Sequence, residues 1–231
     1  KFSRGGQEDA TELYTAISTL WEESDVMPTF RDVLSFDVKT HLVCQKCGKK
    51  SSETTMPMNQ MDVGLGDTTN IREHFSLVNS VDAFLRPTTP ENYRCEAKSC
   101  KALDVTTQHS TIDNIQQYVV FTLKRFKRDE DAGTFLKIRT RVEIPETLHL
   151  GGKTLALRGI VLHDGDTLHG GHYTVLVKYR GTGGWWSIDA RPGQDEEQIT
   201  WDRNLPDTAH YDAYILLYKN KDFSHTNVLG L

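Results

Sequence analysis

The 231 residues are 37% hydrophobic and 26% charged, and they carry a formal net charge of −5. That much apolar side chain can build a core, whereas the acidic balance argues against a nucleic-acid surface, which needs a basic face to meet phosphate. No apolar run reaches the roughly eighteen residues of a membrane span, and the charged start KFSRGGQEDA is not a secretory leader. These features predict no nucleic-acid partner, no membrane partner and a reducing intracellular setting, in cytoplasm and/or nucleus. The first residue is Lys1 and not Met, which suggests processing or a longer parent chain.

From Asp9 to Glu23 the residues Leu13, Ile17, Leu20 and Trp21 fall at i, i+4, i+7 and i+8, one face of a helix. A second helix is expected after Asn70, which could cap it, with Ile71, Phe75, Val78 and Val81 on one side. The remainder reads as strands. The clearest are Tyr118 to Phe126, Leu155 to Leu162, Tyr173 to Tyr179, Trp185 to Ile188 and Ala213 to Tyr218, each bounded by Gly, Pro, Asp or Asn turns. The basic run Leu123 to Arg128 reads as a solvated strand end. Helix first and antiparallel-looking strands later make the class α+β, as a single folded unit.

All four cysteines fall into two close pairs, Cys44 with Cys47 and Cys95 with Cys100. The spacings C-x2-C and C-x4-C suit two turns that present thiolates to one tetrahedral Zn2+. Two disulfides or free thiols are the competing readings, and a disulfide inside C-x2-C is strained or redox-active. Because the pairs lie far apart in sequence, one ion would pin the tips of two separate hairpins. Four protein ligands leave no open position, so its role would be structural.

The stretch HDGDTLHGGHYTV (His163 to Val175) crowds histidines and glycines against the start of a strand. The strand turns at Gly181 to Gly184 and returns as WWSIDARPG. If the two strands pair, Asp189 comes back beside His172, where a carboxylate could fix the imidazole tautomer and leave the other nitrogen as a base. A structural histidine and an ordinary turn aspartate are the alternative. On the first reading the pair belongs to a Cys-His-Asp arrangement whose cysteine is missing.

With those residues in view the chain resembles the ubiquitin-specific protease family of cysteine deubiquitinases from Gly5 to Tyr218. The matching segments come in the family's order: GGQEDATEL (Gly5 to Leu13), the two cysteine pairs, YVVFTLKRF, KIRTRVEIPETLHL (Lys137 to Leu150), LRGIVLHDGDTLHGGHYTVLV, WWSID and AYILLY (Ala213 to Tyr218). The resemblance implies a papain-like palm with antiparallel, β-rich fingers tipped by the four-cysteine zinc. It divides residues 1–231 into a helical thumb and palm remainder to about residue 35, fingers over about 36–115, a palm over about 116–220 and a tail over 221–231. It further implies a thiol protease that hydrolyses isopeptide bonds after the terminal glycine of ubiquitin or a ubiquitin-like protein, with ubiquitinated substrates as partners.

In that family frame His172 matches the general base and Asp189 the residue that orients it, while His163 and His169 match flanking structural positions. Gln7, Asp9 and Glu12 match positions that grip the arginine-rich ubiquitin tail, a task for which carboxylates suit. Phe126 and Tyr173 match the lining of a channel that passes only glycine-sized residues. Two departures matter. Ala190 stands where the family often has a second acid, and the nucleophile of the family's Cys-box has no counterpart here, so an upstream or separate Cys-bearing segment is implied. A catalytically inactive ubiquitin-binding or scaffold module is the alternative.

Overall fold

The computed structural model describes residues 9–24, 29–65, 75–128, 133, 135–167, 170–179, 183–189 and 198–223. The chain enters as helix α1 (Ala10–Glu22), followed by a one-turn α2 (Phe30–Val33). Strands β1 (Phe36–Cys44), β2 (Thr54–Met58), β3 (Met61–Gly64) and the short β4 (Phe75–Ser76) lead into helix α3 (Leu77–Leu85). Then come β5 (Thr106–Asp113), β6 (Tyr118–Lys124), β7 (Phe126–Arg128), β8 (Phe135–Lys137), β9 (Val142–Glu143) and β10 (Thr147–Leu150). The long β11 (Lys153–Thr167) is followed by β12 (Gly170–Lys178), β13 (Trp185–Asp189), β14 (Gln198–Asp202), α4 (Thr208–Asp212) and β15 (Ala213–Asn220).

Helix α1 starts where the sequence places it, because Asp9 accepts a hydrogen bond from the Thr11 N–H at 2.6 Å and so satisfies one orphan donor of the first turn. Of the expected stripe only Trp21 turns inward. Leu13, Ile17 and Leu20 are 48%, 49% and 68% exposed, while Tyr14 and Trp21 pack on Phe30 with ring centroids 5.8 and 5.4 Å apart. The Tyr14 hydroxyl donates to the Asn59 carbonyl at 2.8 Å. Large rings with a polar tip bury more area than the aliphatic stripe and satisfy themselves at the edge, so they win the inward side. The second helix also differs from expectation. Phe75 is drawn into β4, paired in parallel with Val142, and the helix begins only at Leu77. Its buried residues are Leu77 and Val81, Val78 is exposed, and Asn70 and Ile71 lie outside the described residues.

Strands β2, β1 and β5 form a three-stranded antiparallel sheet in that order. Among the described residues the main sheet has eight strands, ordered β14-β13-β12-β11-β15-β6-β3, with β10 also paired to β11. Pairing is antiparallel except where β3 joins β6 in parallel. Thus Met61–Gly64, within the stretch expected as fingers, belongs to the main sheet.

Because side chains alternate along a strand, the main sheet has two faces. One carries the larger core, including Phe121, Leu123, Leu157, Ile160, Leu176, Trp185, Leu216 and Tyr218, closed by Leu77 and Val81 of α3. The other carries a smaller cluster of Val120, Tyr214 and Ile215, against which Ala10 and Tyr14 of α1 pack.

Arg125, between β6 and β7, is fully buried and joins the chain segments beneath this sheet. Its Nε donates to the Ala213 carbonyl, its Nη1 to those of Ile138 and Thr140, and its Nη2 to that of His210, at 2.5 to 3.1 Å. Burial pulls its pKa down to about 10, which still leaves it charged at neutral pH. An ammonium has no planar fork to span those carbonyls. We expect Arg125→Lys to lower stability by about 3 kcal/mol in urea unfolding, since buried acceptors lose their partners; a loss under about 1 kcal/mol would contradict this role.

Candidate active site and metal centre

In the register of β12 with β13, Val175 faces Ile188 and Lys178 faces Trp185. Continued by one step, that register sets Asp189 opposite Thr174, so His172 is its diagonal neighbour on the same face. Diagonal positions have Cα atoms about 7–8 Å apart, a span that two polar side chains reaching toward each other can close. They do close it: His172 Nε2 and Asp189 Oδ1 are hydrogen-bonded, with the two side chains 30% and 18% exposed. A carboxylate only accepts, so Nε2 carries the proton and donates it, and the Nδ1 lone pair is the nitrogen left to take a proton.

The approach to His172 is shaped by glycine. Across β11 and β12, His163 pairs with Tyr173 and Asp164 with His172, and the register shifts between Asp164 and Thr167. A Cβ on Gly171 would lie 2.5 Å from the Asp164 carbonyl oxygen and 2.6 Å from His163 Nε2, so only glycine fits there. At Gly170 the single close atom is the Thr167 hydroxyl, which can rotate away.

Tyr173 points to the opposite face from His172 and joins an aromatic group around the fully buried His163. The His163 ring centroid is 4.7 Å from that of Tyr173, 5.4 Å from Phe126 and 6.1 Å from Tyr214. Burial, and then the Lys137 charge, lower the His163 pKa below 6.5. Desolvation raises Tyr173 to about 12, helped by the charges of Asp9 and Glu12.

The structure therefore brings Asp9, Phe126 and Tyr173 together in one neighbourhood. Asp9 is 6% exposed, and both its oxygens serve the chain itself: Oδ1 takes the Thr11 amide and hydroxyl, and Oδ2 takes the Tyr214 hydroxyl at 2.5 Å. Glu12 is exposed on α1. Gln7, His169 and Ala190 lie outside the described residues. Sequence reasoning missed Tyr214, the partner that explains why Asp9 is buried. No local signal marks it, since AYILLY reads as an apolar strand.

The four cysteines meet at the end of the small sheet. The Gly48 amide donates to the Cys44 carbonyl and the Cys44 amide to the Lys49 carbonyl, turning the chain between β1 and β2. The Cys95 amide donates to the Ala102 carbonyl in a second turn. The Cys44 and Cys100 sulfurs are 3.9 Å apart, those of Cys47 and Cys95 are 3.7 Å apart, and all four lie within 4.8 Å of one another. These gaps are too long for S–S bonds, and they fit tetrahedral Zn–S bonds of about 2.3 Å, whose edges are about 3.8 Å. The amide of Cys47 lowers the Cys44 thiol to about 6. For Cys95 the Ala97 amide also lowers the value, but burial and the neighbouring sulfurs outweigh it and push it up to about 11. Sulfurs this close do not all ionise without a cation between them.

The whole chain to residue 218 matches the sequence model of the family described as ubiquitin carboxyl-terminal hydrolase. The chain belongs to that family. It is 25% identical over 256 residues to the zebrafish (Danio rerio) ubiquitin carboxyl-terminal hydrolase 48, covering 94% of this chain and 23% of that protein. It is 26% identical over 207 residues to the rice (Oryza sativa subsp. japonica) ubiquitin carboxyl-terminal hydrolase 26, covering 82% of this chain and 19% of that protein. The chain thus spans about a fifth of these hydrolases' length. Among solved structures, the SAGA Ubp8/Sgf11/Sus1/Sgf73 DUB module bound to ubiquitin aldehyde superposes with a TM-score of 0.77 at 20% identity, over 95% of this chain and 50% of that one. The fold is therefore that of the family's deubiquitinase domains, α+β with a β-rich palm and fingers. Among the described residues of this hydrolase-family chain, no helix is long and apolar enough to cross a membrane.

Two consequences can be measured. Gly171→Ala should cost about 1–3 kcal/mol by overpacking against backbone, whereas Gly170→Ala should cost less than half as much in the same denaturant titration. His163, neutral in the fold, titrates near 6.5 when unfolded. The unfolded chain then binds the extra proton, so stability is intact above pH 6.5 and declines as pH falls through it. The slope of stability against pH between about 5 and 7 should flatten in His163→Phe.

Proposed function

We propose that this chain carries the general base and its orienting carboxylate for a cysteine deubiquitinase. The observation behind this is the His172–Asp189 contact, made on adjacent strands with the proton on Nε2 and Nδ1 left as the base. The thiol comes from a Cys-bearing segment other than this sequence, because Cys44, Cys47, Cys95 and Cys100 all belong to one cluster. In this reading Nδ1 takes the thiol proton, the thiolate attacks the carbonyl of ubiquitin's terminal glycine, and the imidazolium returns the proton to the departing lysine amine. Water, deprotonated by the same nitrogen, then hydrolyses the thioester.

The ubiquitin tail would run past Tyr173 and Phe126, with Glu12, exposed on α1, available to its arginines and Gln7 a further candidate contact. Asp9 contributes by capping α1 and locking Tyr214, which fixes the start of α1 beside Tyr173. Ubiquitin as ligand is supported by the family and by the ubiquitin or ubiquitin aldehyde bound in the superposing SAGA modules. Ubiquitinated proteins as substrates and a cytoplasmic or nuclear site of action follow from the same reading. Zn2+ fits the cysteine cluster by donor type and spacing. Cys44, Cys47, Cys95 and Cys100 would hold it, and a closed thiolate shell supplies structural cross-linking of the two turns.

The clustering of every cysteine away from His172 favours one second reading, a ubiquitin-binding module that cleaves nothing. A ubiquitin C-terminal electrophile applied to the protein complete with its Cys-bearing segment separates the two. Labelling that is lost in His172→Ala supports the enzyme; ubiquitin binding without labelling supports the module. In the active protein, Asp189→Asn should reduce kcat roughly 10²-fold or more with little change in ubiquitin affinity, because the imidazole loses its tautomer. An equal loss of affinity would count against the orienting role. Elemental analysis should find one zinc per chain, and Cys44→Ser should release it and loosen β1 and β5 while the main sheet stays folded; a metal-free parent would refute this.

A further inference from the structure

We infer that Lys137 is a positioning residue for His172, acting through the β11 segment that pairs with it. This rests on the reading of His172 and Asp189 as base and carboxylate. Lys137 ends β8, its side chain is 1% exposed, and its ammonium donates both to the backbone carbonyl of His163 and to Asp212 Oδ1, the latter at 2.9 Å.

The place of that ammonium in the sheet explains its burial. β11 is paired with β15 only as far as Leu162 opposite Ala213, where β15 begins. One residue further, β11 has lost its neighbour on that side, just where it must hold His163 opposite Tyr173 and Asp164 opposite His172. A strand left without a partner exposes carbonyls and can slip or twist. Lys137 supplies the missing donor to His163. Asp212, the last residue of α4 and adjacent to Ala213 in sequence, neutralises the charge. The cation thus continues the ladder past the end of β15.

Further contacts fix the strut at its base. Lys137 pairs with Phe126 across β7 and β8, and the Phe126 ring packs edge-on against His163. Arg139, two residues on, reaches both Asp212 at 3.9 Å and Asp166. α4 is held in turn by Arg125 through the His210 carbonyl. The backbone opposite His172 is therefore braced from β8 and α4, with Lys137 the buried link between α4 and β11 and the half-exposed Arg139 a second link nearer the rim.

The test is the tautomer of His172, read by long-range 1H–15N correlation of its ring in the full chain, for the parent, Lys137→Met and Asp212→Asn. The parent should show the Nε2–H form. Lys137→Met should raise the Nδ1–H share by about fivefold or more, as the strand opposite wanders and the Asp189 bond is intermittently lost. Asp212→Asn, which keeps the lysine but frees it, should shift the ratio in the same direction by less. A lower melting temperature with an unchanged tautomer ratio in Lys137→Met would overturn the inference and leave only a structural role. If Lys137→Met does not fold, Asp212→Asn decides alone: a shifted ratio supports the brace and an unchanged one overturns it. A parent already lacking the Nε2–H form would contradict the base and carboxylate reading itself, and this inference with it.

Discussion

The chemistry this chain can perform depends on one strand register. β12 meets β13 so that Asp189 falls diagonally across from His172 on a shared face. A slip by one residue would turn either side chain to the opposite face and part the pair. The neighbours of β12 hold that register in different ways. Toward β13 it is set by ladder hydrogen bonds and by buried Trp185 and Leu176. Toward β11 the ladder is interrupted at Asp164 to Thr167, and side chains take over: Gly171 lets two backbones touch, His163 packs into an aromatic ring cluster, and Lys137 holds the strand from behind.

The cluster around His163 links this site to the first helix. Tyr214 donates to Asp9, Asp9 caps α1, and the Tyr173 hydroxyl accepts from the Ala10 amide at 3.4 Å. One buried carboxylate therefore fastens the helix start to the sheet, whatever passes over it. The cysteine turns lie at the far end of a separate small sheet, tied to the core through the bases of β1 and β5, where Phe36, Val38 and Ile112 enter it, and through Met58 of β2. Loss of metal there would be expected to propagate along those two strands and no further.

What could be read from the sequence was what depends on short-range pattern. The cysteine pairs announce two turns by spacing alone, and His172 with Asp189 could be joined because a single hairpin separates them. The strands were legible from alternation and turn residues. The faces of α1 were not. Its aliphatic stripe of Leu13, Ile17 and Leu20 satisfies the helical period, yet Tyr14 and Trp21 take the inward side because Phe30 is there to receive them. The start of α3 was misplaced because Phe75 fits an apolar helix face equally well until a distant residue, Val142, claims it for a strand. Arg125 reads as surface charge in a basic run, and nothing local marks Lys137 as buried. Only the tertiary structure supplies the carbonyls that take them inside.

The proposed chemistry depends on where a reacting sulfur sits relative to His172. An experimental structure of the protein with its Cys-bearing segment and a covalently captured ubiquitin tail measures this directly. The sulfur should lie within about 4 Å of His172 Nδ1, with Nε2 still bonded to Asp189 and the tail passing Tyr173. A sulfur closer to Nε2, or a tail bound away from Tyr173 with Asp189 turned from the ring, would contradict it.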